Sequence, residues 1–260
     1  MIYVIGGEGF VGSAYVRLFA RLGIPHRVIT RATWEEVRGT FCDVIINANG
    51  NSSKLLANEQ PLMDFDLSVR SVRETLESVS CGVYVMLSSG DVYPDQSLPA
   101  LTREDQIIDP GKVSRYGLHK LLAEQLVRGS GSDWLILRMG GFVGPGLKKN
   151  AIFDMLTNAP VWLGPDSALQ FISTESAAEI VWSLVEQGIR REVINLGGTG
   201  VVPIGKLHQE IGSYSLFEPD APMIRYELDL SKLQRLYRGT VPKSTDEVSR
   251  FVAKWGLSAR

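Results

Sequence analysis

The sequence predicts an α/β fold: a doubly wound parallel sheet with a small C-terminal lobe. Three observations predict it. Short apolar runs rich in β-branched residues alternate with segments of helical periodicity along most of the 260 residues. The first run leads directly into a glycine-rich turn. The chemically interesting polar residues fall just after the predicted strands, where open parallel sheets bind ligands. A hydrophobic fraction of 44% and a charged fraction of 22% are ordinary for a globular protein.

The first element is Ile2-Tyr3-Val4-Ile5, a buried strand. The turn Gly6-Gly7-Glu8-Gly9-Phe10-Val11-Gly12 follows and fits two templates. Gly7, Gly9 and Gly12 match G-x-G-x-x-G, whereas Gly6, Gly9 and Gly12 match G-x-x-G-x-x-G. Val11, Ala14, Tyr15, Leu18 and Leu22 then recur at helical spacing, and Gly23 and Pro25 close the helix. Strand, turn and helix together aim backbone N–H groups at a phosphate, which predicts a bound nucleotide.

Arg27–Thr30 reads as a second strand, and Thr33-Trp34-Glu35-Glu36 matches a capping box that should start a short helix. Further strands are expected at Asp43–Ala48, Val83–Ser88, Trp134–Arg138 and Val193–Leu196, with helices near 61–79, 112–128 and 174–187. The loop after the third strand, Asn49-Gly50-Asn51-Ser52-Ser53-Lys54, is rich in hydrogen-bonding groups. It suits a sugar or a phosphate, and equally a polar connector.

Composition excludes several classes of function. With a net charge of −2 and no basic run, no nucleic-acid partner is expected. No apolar stretch approaches the roughly 20 residues of a membrane span, and residues 1–5 enter a strand directly, so neither a membrane segment nor a signal peptide is expected. Cys42 and Cys81 each lie in or beside an apolar run, which points to a reduced, cytoplasmic protein. His26, His119 and His208 lack ligand spacing, so no metal site is expected.

The fourth strand runs into Leu87-Ser88-Ser89-Gly90-Asp91-Val92-Tyr93, and Tyr116-Gly117-Leu118-His119-Lys120 lies further on. Tyr116 and Lys120 are four apart and share one helix face. An ammonium beside a phenol favours the phenolate, which otherwise forms only near pH 10 or so. Such a tyrosine can exchange a proton with a carbonyl or alcohol oxygen while hydride moves to or from a nicotinamide, and a serine hydroxyl can hold that oxygen.

Together these segments resemble the extended short-chain dehydrogenase/reductases, the nucleotide-sugar epimerase, dehydratase and reductase group. GGEGFVG resembles the cofactor turn, LSSGDVYP the segment of the catalytic Ser or Thr, and YGLHK the Tyr–Lys pair. LRMGGFVGPG resembles the stretch that passes the nicotinamide, FISTESAAEIV a following strand–helix unit, and INLGG the next strand. The tail DLSKLQRL to VPKSTDEVSRFVAKW is similar to the family's C-terminal ending.

The resemblance implies a catalytic set of Ser89, Tyr116 and Lys120, and it selects Gly6, Gly9 and Gly12 as the glycine triplet. It implies cofactor contacts at those glycines, Phe10, Val11, Thr30, Arg31, Asn47, Ala48, Asn49, Tyr116, Lys120, Met139 and Gly140. Substrate contacts are expected at Ser52, Lys54, Ser89, Asp91, Lys149 and Asn150. Residues 1–140 plus 166–200 should form a Rossmann-type cofactor domain, and 141–165 plus 201–260 a substrate lobe. A homodimer through the helices near 61–79 and 112–128 is implied as well.

Departures from the family's pattern refine the expectation. Thr30-Arg31 stand where NAD-preferring members carry an acidic residue. With no carboxylate to repel a 2′-phosphate and a guanidinium to fork onto it, NADP is expected, with NAD possible. The short link from second to third strand leaves no place for an extra edge strand. Gly90-Asp91 replaces the Asp-Glu pair of sugar dehydratases, which disfavours dehydration. SSGDVYP is most similar to the S-S-C-I-Y-P segment of the GDP-fucose synthase type, with Asp91 in place of its cysteine. Leu169 replaces a family Arg. A keto-sugar reductase is therefore expected, with a 4-epimerase or a non-catalytic NADP redox sensor as the alternatives.

Overall fold

A computed structural model describes residues 1–258 of the chain. The chain opens with β1 (Ile2–Ile5), α1 (Gly12–Leu22), β2 (His26–Ile29) and β3 (Phe41–Asn47). Next come α2 (Lys54–Glu59), α3 (Pro61–Phe65), a π-helical turn at Asp66–Arg70, α4 (Ser71–Ser78), β4 (Ser80–Ser89), α5 (Arg115–Arg128) and β5 (Asp133–Met139). After β6 (Gly141–Val143), α6 (Ala151–Thr157), β7 (Ala168–Leu169) and β8 (Phe171–Ser173) come α7 (Thr174–Glu186) and β9 (Glu192–Leu196). The chain ends with β10 (Val202–Pro203), α8 (Ile204–Glu210), β11 (Arg225–Tyr226), α9 (Ser231–Leu236) and α10 (Ser244–Ser258).

Six strands form the central sheet in the order β2-β1-β3-β4-β5-β9, and every neighbouring pair is parallel. Alternate side chains along each strand enter separate cores. Val4, Ile46, Val85 and Leu135 face one cluster with Ala14, Leu18 and Val181 from α1 and α7. Tyr3, Ile45, Tyr84 and Ile136 face the other with Val72, Ala123 and Val127 from α4 and α5. Helices thus cover both faces, which explains why the strands read as apolar throughout. A third cluster, including Val143, Ile152, Met155 and Val161, lies in the small lobe. There β7 pairs with β10 and β11, and β6 with β8.

Three local expectations are corrected. The capping box at Thr33 does not form. Residues Trp34–Glu36 make a single 3-10 turn without a side-chain cap, because the Thr33 hydroxyl instead accepts the Thr30 N–H at 3.0 Å. Local turn chemistry wins over helix nucleation in so short a connection. The helix bearing Tyr116 starts at Arg115, later than expected, since Val113 is extended and Ser114 caps the Gly117 N–H. The segment near 61–79 is divided by the π-helical turn at Asp66–Arg70. As the short link after β2 implied, that strand is the sheet's edge.

Among the described residues, no helix is long and apolar enough to cross a membrane. Cys42 and Cys81 are both buried free thiols on neighbouring strands.

Candidate active site

The carboxyl ends of β1, β2 and β3 enclose a cavity of about 510 Å³ lined by Gly6, Gly7, Glu8, Thr30, Arg31, Ala32 and Asn49. Steric contacts explain two of the glycines. Gly6 has φ +75, and a Cβ there would lie 2.9 Å from the Ala48 carbonyl and the Asn49 nitrogen. A Cβ on Gly12 would lie 2.2 Å from the Gly6 oxygen. The first turn of α1 therefore seats directly on the glycine turn, and no side chain caps that helix end. A helix start beside a cavity, with no side chain laid over it, fits a dinucleotide phosphate. Phe10 and Val11 are half-buried in this turn, and Arg31 is exposed.

Asn47 holds the end of β3 in shape. It is buried, its amide donates to the Tyr84 hydroxyl at 2.5 Å, and its Oδ1 accepts the Asn49 N–H at 3.0 Å. Its side chain shapes the turn that puts Ala48 and Asn49 against the glycines. Met139 and Gly140 stand half-buried at the end of β5, with the Gly140 N–H donating to the Leu196 carbonyl at 3.0 Å.

At the end of β4 the chain turns sharply through Gly90–Val92. Ser89 Oγ accepts the Asp91 N–H at 3.1 Å and donates to Asp91 Oδ2 at 3.2 Å. Gly117 lets α5 reach this turn, because a Cβ there would lie 2.0 Å from the Asp91 oxygen. Ser89, Tyr116 and Lys120 are all buried, and Lys120 Nζ lies 5.6 Å from the Tyr116 ring centroid. The helical spacing thus produces the juxtaposition it predicts.

The titration of these groups differs from the sequence expectation. Burial pushes the Tyr116 phenol above its ordinary value, the Asp91 charge adds to this, and the Ser89 hydrogen bond opposes it. Desolvation outweighs any ammonium effect, so Tyr116 is a protonated donor near neutral pH rather than a ready phenolate. Burial also lowers Lys120, to about 8, against the pull of Asp64 and Glu124.

The expected substrate residues meet in part. Lys54 Nζ pairs with Asp91 at 2.7 Å, joining α2 to the Ser89 turn. Lys149 Nζ donates to the Ser52 carbonyl at 2.6 Å and reaches its hydroxyl at 3.3 Å. Asn150 is committed to local structure: its Oδ1 caps Phe153 N–H and its amide donates to the Phe142 carbonyl, both at 2.9 Å.

Sequence reasoning missed Glu8, which shares the Arg31 cavity, and Tyr226 on β11. A Cβ on Gly90 would lie 2.3 Å from the Tyr226 hydroxyl, so this phenol sits on the Ser89 turn. Burial, and then the Asp91 charge, push it well up. Nothing in its local sequence signals this, since its place depends on the strand pairing of a distant lobe.

The sequence pattern that defines the NAD dependent epimerase/dehydratase family matches residues 2–197. No curated protein sequence matches the chain. Solved structures match it end to end. A UDP-galactose 4-epimerase is 20% identical with a TM-score of 0.80, over 100% of this chain and 99% of its own. A UDP-glucuronic acid 4-epimerase from Bacillus cereus, in complex with UDP-glucuronic acid and NAD, is 17% identical with a TM-score of 0.78, over 99% of each chain. RMD from Pseudomonas aeruginosa, complexed with NADPH, is 18% identical with a TM-score of 0.79, over 98% of this chain and 99% of its own.

Proposed function

The chain belongs to the NAD dependent epimerase/dehydratase family, and we propose that it is an NADP-dependent reductase of a keto group on a nucleotide-activated sugar. The observation that carries this reading is the cluster of Ser89, Tyr116 and Lys120, buried together at the end of β4 and the start of α5. Residues 1–140 plus 166–200 serve as the cofactor domain, apart from β7 and β8, which pair with lobe strands. Residues 141–165 plus 201–260 serve as the substrate lobe, apart from Leu228, Leu230 and Leu233, which join the core of the central sheet. Gly6, Gly9, Gly12 and the start of α1 take the pyrophosphate, and Lys120 takes the ribose next to the nicotinamide. A bound nicotinamide supplies the hydride.

Tyr116, kept protonated by its burial, gives its phenolic proton to the carbonyl oxygen. Ser89 turns its hydroxyl from Asp91 to the same oxygen and fixes it in place. The Lys120 ammonium then favours the phenolate that remains. Lys54 and Lys149 flank the loop of Asn49–Lys54 and supply positive charge for a diphosphate. A reductase consumes NADPH in proportion to product, and incubation with a panel of keto-sugar nucleotides measures this.

The 4-epimerase reading is favoured by the two 4-epimerases, of UDP-galactose and of UDP-glucuronic acid, among the structural neighbours. It predicts sugar interconversion with no net change in nicotinamide absorbance. A redox sensor would show neither result.

NADP preference rests on Arg31, which lines the cavity at the end of β2. Arg31→Ala is expected to weaken NADPH binding about tenfold or more, the size of a lost charge-assisted hydrogen bond, and to leave NADH binding unchanged. Titration calorimetry with both cofactors checks this, and equal losses would refute the assignment. Glu8 lines the same cavity and works against a 2′-phosphate, so the measured preference is the balance of Arg31 against Glu8.

We also propose a homodimer. Leu62 is 83% exposed, Met63 48% and Leu122 39%, on the two helices the family resemblance implicates. Sedimentation at the mass of one chain would exclude the dimer.

A further inference from the structure

Behind Lys120 lies a polar cluster that the proposed reaction does not use. Asp64 on α3 is fully buried, and its carboxylate accepts three hydrogen bonds. Asn51 Nδ2 donates at 2.8 Å, Ser68 Oγ at 3.1 Å and His119 Nδ1 at 2.7 Å. Three polar partners around one buried carboxylate hold it in a single orientation. The three donors come from three elements: the loop after β3, the π-helical turn and α5.

His119 directly precedes Lys120 on α5, so Asp64 grips the helix at the point where it presents its ammonium. Phe65 packs edge-on against the His119 ring with centroids 5.6 Å apart, which fixes the imidazole plane. Asn51 also holds Ser53 from both ends of its amide, donating to the carbonyl and accepting the N–H, each at 2.7 Å. Through Asn51 the same carboxylate therefore anchors the loop that carries Ser52 and Lys54. Lys120 Nζ ends against Gly50 of that loop, where an added Cβ would lie 3.3 Å away.

Two carboxylates act on Lys120 through space, Asp64 from α3 and Glu124 from its own helix. They are not equivalent. Glu124 is held by two guanidinium nitrogens of Arg138, Nη2 at 2.8 Å and Nε at 3.1 Å, and by Ser88 at 2.6 Å, so a cation already balances its charge. Asn51 and Ser68 bring no charge to Asp64, His119 brings one only when it is protonated, and the phenol of Tyr116 faces Lys120 as a neutral group. A buried ammonium needs a nearby anion to remain charged.

We propose that Asp64 is the positioning residue of Lys120: a buried carboxylate that locks α5 and the Asn49–Lys54 loop in register and sustains the ammonium with its charge. This rests on the assignment of Lys120 to the nicotinamide ribose. His119 is its orienting partner, a donor that keeps the carboxylate aimed inward.

The test is the dissociation constant of NADPH between pH 6 and pH 10, read from quenching of tryptophan fluorescence. In the wild type, binding weakens as Lys120 loses its proton, with a midpoint at pH about 8. Lys120→Met should abolish that step. Asp64→Asn preserves volume and hydrogen bonding but removes the charge, and should move the midpoint down by about one pH unit. Ser68→Ala removes a neutral donor dipole that faces the carboxylate, and should move the midpoint up by about a few tenths of a pH unit. A purely structural cluster would lower thermal stability in both variants without opposite shifts, and that result overturns the proposal. If Asp64→Asn does not fold, Ser68→Ala decides, and an unchanged or lowered midpoint is refuting. If Lys120→Met keeps the wild-type step, the assignment of Lys120 falls first and the role of Asp64 falls with it.

Discussion

Replacing Tyr116 by Phe is expected to lower turnover by about 10³-fold, within the range for loss of a general acid, while the dissociation constant of NADPH stays within about twofold of the wild type. The substitution removes one oxygen from a buried ring and leaves its packing and the Lys120 contact in place. Because burial holds the phenol above its ordinary value, the hydroxyl is neutral at pH 7 and no charge is lost with it. Thermal stability should therefore barely change. The loss falls on the step in which the carbonyl oxygen must gain a proton as hydride arrives, for which Ser89 can hydrogen-bond but the group behind it, Asp91, accepts its proton rather than supplying one. Stopped-flow absorbance of NADPH with a keto-sugar nucleotide measures the effect. Activity within tenfold of the wild type would remove Tyr116 from its role.

The fold was legible because every central strand is buried on both faces. Val44, Ile45 and Ile46 supply alternate cores yet read as one apolar run, and that continuity marks a parallel sheet. The Tyr116 and Lys120 pairing was legible because a four-residue helical spacing is local geometry. What escaped detection depends on chain crossings. Tyr226 reaches the Ser89 turn only because β11 pairs with β7, and Asp64 meets His119 across 55 positions of sequence. The phenol's titration also escaped, since spacing reveals the neighbouring charge but not the burial that outweighs it. Thr33 failed as a cap for the opposite reason. Its motif was local, but the connection from β2 to β3 was too short to propagate a helix, and a nucleus without propagation is unfavourable.

The glycine turn yields the second large effect, and it separates the two spacings that the sequence satisfies together. Gly6→Ala is expected to weaken cofactor binding by about 100-fold or more, whereas Gly7→Ala should change it by less than about fivefold. At Gly6 two penalties combine. The backbone has φ +75, a conformation that costs an L-residue roughly 1–2 kcal/mol. The new Cβ would also meet the Ala48 carbonyl and Asn49 nitrogen at 2.9 Å. Those are backbone atoms of the turn leaving β3, fixed in turn by Asn47, so relief of the clash must push Asn49 into the cavity. At Gly7 a Cβ would meet only methyl groups of Val16 and Val28, at 3.0 to 3.2 Å, which can yield by small rotations. Gly12→Ala should resemble Gly6→Ala, since its Cβ would press on the Gly6 oxygen at 2.2 Å and lift α1 off the turn. Calorimetric titration of NADPH against the three variants measures the ranking. A Gly7 variant more damaged than the Gly6 variant would mean that G-x-G-x-x-G is the spacing in use, and that the close contact at Gly6 serves the turn alone.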